Sequence, residues 1–125
     1  MFFGTGKSSI DIVQGGMNKK GLFYDGAICP AVTIPFDGEK ESLAADFGEP
    51  VLSKCATVDE AIAFLEKYNI PHSFSDHIMF ADAGGNSAVV EWIDNEMVVR
   101  YKRGAYQVAT NFFLSKPERG GYPCG

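Results

Sequence analysis

Apolar and polar positions alternate along the second half of the chain and recur at helical spacing in its middle. From His77 to Ala81, Ser87 to Ile93, Glu96 to Tyr101 and Tyr106 to Ala109 the period is two, the spacing of strands whose side chains point to opposite faces. Gly84-Gly85-Asn86, Asp94-Asn95 and Arg103-Gly104 separate these runs with hairpin turn chemistry, so the pattern predicts an antiparallel meander. Ahead of it, Val58, Ala61, Ile62, Leu65 and Tyr68 recur at i, i+3, i+4, i+7 and i+10, the buried stripe of a helix. Thr57 and Glu60 form a capping box at its start, and Pro71 biases Ile70 away from helix, so this element should end near Asn69. A shorter helix is predicted from Glu49-Pro50 to about Cys55, because proline is tolerated in a first turn.

The first third is less periodic. Ser9 to Val13 alternates briefly inside a Gly- and Ser-rich stretch, and Gly21 to Cys29 (GLFYDGAIC) reads as a buried strand closed by Pro30. Ala31 to Gly48, with Pro35 and Asp37-Gly38, reads as a surface excursion, and the chain from Leu114 onward as a loop. The predicted fold class is α+β in a single domain over residues 1–125, one antiparallel sheet with two helices on one face. Val89, Glu91 and Ile93 share one side of their strand and Val90 and Trp92 the other, so both sheet faces require cover.

Composition narrows the function classes. Apolar residues are 46% and charged residues 22% of 125, the balance of an ordinary globular domain. A net charge of -5 with scattered cations argues against a nucleic-acid partner. No apolar run approaches the roughly 20 residues that cross a bilayer, and Gly4-Thr5-Gly6-Lys7 follows Met1-Phe2-Phe3 at once, so neither a membrane partner nor a signal peptide is expected. Cys29, Cys55 and Cys124 stand far apart with only His72 and His77 as imidazoles, which is not zinc spacing; no metal and no cofactor is expected. An odd cysteine count without a secretory signal fits reduced thiols in a cytoplasm, an expectation that a leader ahead of this sequence would change. Gly4-x-Gly6-Lys7-Ser8 lacks the first glycine of a phosphate-binding loop, since Met1 stands there, and reads as a glycine-bearing bend.

Among single residues, Asp82 before Ala83-Gly84-Gly85 reads as a turn-capping carboxylate. Glu91 inside an apolar strand needs a partner, and Arg100 on the next hairpin strand is the natural one. Cys29 could act as a nucleophile with His72 or His77 as base, but nothing in the spacing demands it, and His77 reads more simply as a hydrogen-bonded edge residue. Asn111 in QVATNFF stands where a strand emerges, with an amide able to donate to a developing oxyanion or simply to serve turn chemistry.

Read in order, GGMNKKGLFYDG (Gly15 to Gly26), TVDEAIAFLEKYNI (Thr57 to Ile70), FADAGGNSAVVEW (Phe80 to Trp92) and VATNFF resemble successive blocks of the choloylglycine hydrolase and penicillin V acylase family. They are most similar to its branch of linear-amide C–N hydrolases and acyl-CoA:isopenicillin N acyltransferase-like proteins. The resemblance implies part of a four-layer αββα N-terminal nucleophile hydrolase fold and a small-molecule amide substrate. In that family a mature N-terminal cysteine attacks while its own α-amine, which ordinarily titrates at about pH 8, acts as base. Here Phe2 follows Met1, and the family block bearing the cysteine, an Arg and an Asp would precede the part that matches; a second active-site Arg would follow it. By resemblance Asn111 is the oxyanion-donating asparagine. Counting ten positions from Asn18 places Ile28 at a second oxyanion position, where its side chain cannot donate. Asp82 and Glu91 fall on family positions that look structural.

Three readings follow. The chain is an internal piece of such an amidohydrolase, inactive alone; it is a non-catalytic binding or interaction module keeping part of the fold; or, ranked well below, it is a small enzyme using Cys29. If the second sheet of the family fold is absent, one sheet face should expose Val and aromatic side chains and the chain should self-associate through that face or an edge.

Overall fold

The computed structural model describes residues 2–3, 14–30, 32–44, 46–71 and 75–117. The run Ser9 to Val13, the Gly4 to Ser8 bend, His72 and Cys124 lie outside them. Six antiparallel strands follow one another in chain order across a single sheet: β1 Phe2–Phe3, β2 Gly15–Met17, β3 Phe23–Ile28, β4 Asp76–Ala81, β5 Ser87–Ile93 and β6 Glu96–Tyr101. Helices α1 Gly48–Lys54 and α2 Val58–Glu66 sit in the connection between β3 and β4. The α+β architecture with both helices on one face is therefore the one the periodicity predicts.

Local chemistry explains the turns. Asp94 and Asn95 take φ of 52° and 63° between β5 and β6, the doubly left-handed geometry whose twist matches a two-residue hairpin. Between β4 and β5 the Asp82 carboxylate accepts from the backbone N–H groups of Gly84 and Asn86, and from that of Val58 at 2.9 Å. One side chain thus closes a hairpin and satisfies an open N–H at the start of α2. Burial pushes the Asp82 pKa up, but these backbone donors and the Asn86 side chain outweigh it and hold the carboxyl below its ordinary value. The Thr57 hydroxyl accepts from Glu60 N–H as the capping box requires, while the Glu60 carboxylate takes the Ala56 N–H.

The helix α2 stops at Glu66, short of Asn69, because Asn69 has other work. Its side chain accepts from Asp37 N–H and donates to the carbonyls of Asp37 and Lys40, and its backbone bonds Glu41 and Leu43, so it pins the surface excursion to the domain. Asn18 does the same for α1: its amide donates to the carbonyls of Leu52 and Cys55 at the helix C-terminus while its oxygen accepts from Lys20 and Leu22.

The main core lies between the helices and one sheet face, where Tyr24, Phe80, Val90 and Trp92 meet Val51 and Leu65. Gly48 opens α1 directly over Tyr24: a Cβ there would stand 1.7 Å from the phenol oxygen. Tyr24 is 4% exposed and packs its ring against Phe80, so it has nowhere to swing. Gly48→Ala is expected to lower unfolding free energy by about 1–3 kcal/mol, the usual cost of overpacking, read from urea denaturation.

The fourth predicted strand does not form. Tyr106 to Ala109 lies outside the sheet. Instead of ladder bonds, the Gln107 side chain donates to Arg100 O at 2.6 Å and accepts from the Ser87 hydroxyl at 2.8 Å. The chain then crosses the second sheet face as a strap over residues 106–117. That strap also changes the picture of an open face: Val89 and Ile93 are buried, and Phe113 packs on Ile93 and Cys29.

Candidate active-site face

Hairpin register puts His77 of β4 and Val89, Glu91 and Ile93 of β5 on the strap side, because Met79 pairs with Val89 and positions of the same parity share a face. Glu91 is fully buried there. Its carboxylate accepts from the Leu114 N–H, from the Ser115 N–H at 3.0 Å and from the Ser115 hydroxyl. His77 Nδ1 lies 3.5 Å from the Glu91 Oε1. Burial alone would raise the Glu91 pKa, yet the His77, Ser115 and Leu114 contacts win and lower it. Burial likewise works to lower His77, but Cys29 and Glu91 raise it to about 9. The pair is ionised: imidazolium against carboxylate.

This corrects two expectations. Arg100 is not the partner of Glu91: the register sets it opposite Val89, and its Nε donates to the Ser115 hydroxyl at 3.3 Å. Among the described residues Arg100 reaches the Glu91 cluster through that serine. His77 is not an edge residue: β4 lies between β3 and β5, and the ring is 1% exposed.

The structure brings two distant parts of the sequence together at β3. Asn111 donates from Nδ2 to the Ile28 carbonyl at 3.0 Å, joining the two positions that the family resemblance assigns to the oxyanion site. The Asn111 side chain stays exposed, and an amide has a second N–H beyond the one Ile28 takes. Cys29 follows, its N–H bonded to Ser75 O at 2.7 Å, its thiol 3% exposed beneath Phe113. Cys55 is buried elsewhere, at the C-terminal end of α1, where burial and Glu60 push its thiol pKa up. A cavity of about 380 Å³ lined by Phe36, Tyr68, Trp92 and Met97 opens on the helix side, away from these groups.

Ser115, which takes part in holding Glu91, carried no signal in the sequence, since nothing local says that the loop after Phe113 returns to β5. The convergence of Cys29, His77 and Glu91 was half readable: strand parity pairs His77 with Glu91, but the adjacency of β3 to β4 spans both helices.

Residues 12–120 match the acyl-coenzyme A:6-aminopenicillanic acid acyl-transferase family. The chain belongs to that family. It is 29% identical over 120 residues to a penicillin V acylase of Pectobacterium atrosepticum, a match covering 85% of this chain and 32% of the relative. The structure of penicillin V acylase from Agrobacterium tumefaciens superposes with a TM-score of 0.69 at 33% identity, over 84% of this chain and 34% of that one. A variant of conjugated bile acid hydrolase from Clostridium perfringens gives 0.65 at 28% identity, over 80% and 34%. The chain therefore spans about a third of the length of these relatives. Its sheet and helices are part of the N-terminal nucleophile hydrolase fold that the family members share.

Proposed function

We propose that this chain carries the oxyanion side of a site that cleaves or transfers acyl groups at linear C–N amide bonds of a small molecule, with Asn111 as the donor. The observation behind this reading is the meeting of Asn111 with Ile28, which sets an exposed amide at the open end of β3 in a member of an acyl-transferase and amidohydrolase family. On this reading the attacking thiol and its α-amine base come from a block other than the part that matches, because Cys29, Cys55 and Cys124 are internal and present no α-amine without an internal cleavage. Alone, the chain turns over no amide.

Two measurements test this. The reading frame upstream of the Met1 codon should continue into a block led by Cys, and the purified 125-residue chain should release no product from penicillin V or a conjugated bile acid. Amide hydrolysis by the chain alone would overturn the assignment of the nucleophile elsewhere.

A second reading, a non-catalytic interaction module that self-associates, is favoured by one feature: Tyr101, Tyr106 and Val108 are 52%, 79% and 65% exposed along the β6 edge and the start of the strap. Sedimentation velocity across a range of concentrations separates the two, since a concentration-independent monomer removes this second reading.

A further inference from the structure

The cavity on the helix side of the sheet takes no part in the reaction proposed above. The cross-strand pair of Trp92 on β5 and Met97 on β6 lines it, with Trp92 held in the main core. Tyr68, just past the end of α2, and Phe36 in the surface excursion add two more aromatic rings to the lining. The walls are fixed before any ligand arrives. Buried Asn69 accepts from the Asp37 N–H at 2.8 Å and donates to the carbonyls of Asp37 and Lys40, which ties the excursion to the end of α2. A site held in shape in this way avoids much of the ordering cost of binding. At about 380 Å³ the space falls at the lower end of the roughly 300–1,000 Å³ usual for small-molecule sites. Phe36 lines it while 63% exposed, so ring surface remains for a ligand to cover.

Charge selects the ligand. Asp37, Lys40 and Glu66 line the same cavity, two carboxylates to one ammonium. Among the described residues neither carboxylate is taken up in an ion pair with Lys40 or another cation. Glu66 is the last residue of α2, where the helix dipole adds negative potential, and the last turn carries no basic side chain. Lys67 at the C-cap does not line the cavity. The faces of Trp, Tyr and Phe rings attract a cation too, and aromatic walls beside carboxylates are the chemistry that holds ammonium groups. An anion would meet the same ring faces and two carboxylates with Lys40 alone in its favour.

We propose that this cavity binds a small organic ammonium ion, with its apolar body against Trp92 and Met97 and its cationic end toward Asp37 and Glu66. The site lies across the sheet from Glu91 and the strap, so it is independent of the amide reaction proposed for Asn111 and would survive its failure.

Trp92 is the single tryptophan of the chain, so its fluorescence reads the cavity directly. The test titrates the whole chain at fixed low ionic strength with benzyltrimethylammonium, and in parallel with benzyl alcohol and phenylacetate as neutral and anionic counterparts. A saturable change in Trp92 emission is expected with the cation, at an affinity about fivefold or more above that of either counterpart. Asp37→Asn and Glu66→Gln alter exposed side chains and leave the core untouched. Each should weaken the cation by about two- to fivefold, the scale of an exposed charge pair, and Lys40→Gln should strengthen it by a similar factor. The sign of the Lys40→Gln effect separates a cation site from an anion site. The proposal is overturned if the cation produces no saturable response, if benzyl alcohol or phenylacetate binds as tightly, if Lys40→Gln weakens the cation, or if both carboxylate variants bind it with native affinity.

Discussion

Glu91→Ala is expected to lower the free energy of unfolding by about 3–5 kcal/mol, the range seen when one partner of a buried ion pair is removed. The substitution strands four donors at once: the imidazolium of His77, and the Leu114 N–H, Ser115 N–H and Ser115 hydroxyl that hold the strap on the sheet. Each buried orphan keeps its desolvation cost while losing its compensation. Glu91→Gln should cost less, because the amide oxygen still accepts while the charge is gone. The pH dependence identifies the cause. The folded His77 pKa is raised from 6.5 to about 9, so its contribution is complete below pH 6.5 and is lost as pH rises through about 9. The Glu91 pKa is lowered from 4.5, so its contribution is complete above that value and is lost as pH falls through the depressed one. The native protein should be most stable between about pH 4.5 and 6.5 as far as this pair decides. Above that window urea midpoints should fall, with a slope that cannot exceed about 1.4 kcal/mol per pH unit for one proton. In Glu91→Ala the alkaline decline should shrink, since His77 no longer has the carboxylate that holds its proton. An equal decline in both proteins would assign it to another group.

Asn111→Leu should lower kcat by about 10²- to 10³-fold, about 2.7–4 kcal/mol of barrier, in a polypeptide that joins these residues to the nucleophile block; that is the measured scale for one oxyanion donor. The physical ground is differential: the amide hydrogen left over from the bond to Ile28 gains most when the carbonyl oxygen becomes an anion, so kcat should fall while KM stays close to its starting value. The same side chain also tethers the strap, and losing its bond to Ile28 O should cost only about 1 kcal/mol of stability. Asn111→Asp should remove both roles at once, because a carboxylate keeps the shape but can donate neither to Ile28 O nor to an oxyanion. If the Leu variant loses stability by that amount and keeps its kcat, Asn111 is a tether and the oxyanion assignment fails.

Elements whose cause is local could be read from residue order alone. Thr57 and Glu60 mark the start of α2, Asp94-Asn95 dictates a two-residue hairpin, and strand parity places Val90 and Trp92 opposite Val89, Glu91 and Ile93. Residue order also carried the family, through the succession of four blocks. Contacts between distant parts of the chain were set by tertiary packing instead. The alternation of Tyr106 to Ala109 is that of a strand, but Gln107 satisfies Arg100 and Ser87 with its side chain and the backbone leaves the sheet. Arg100 was the nearest charge to Glu91 along the hairpin, yet the hairpin register sets it against Val89, and His77 and the returning strap supply the partners. Periodicity reports which side of an element is apolar; it holds no information on which distant backbone N–H or imidazole will reach a buried carboxylate, because that depends on loop closures that no local pattern encodes.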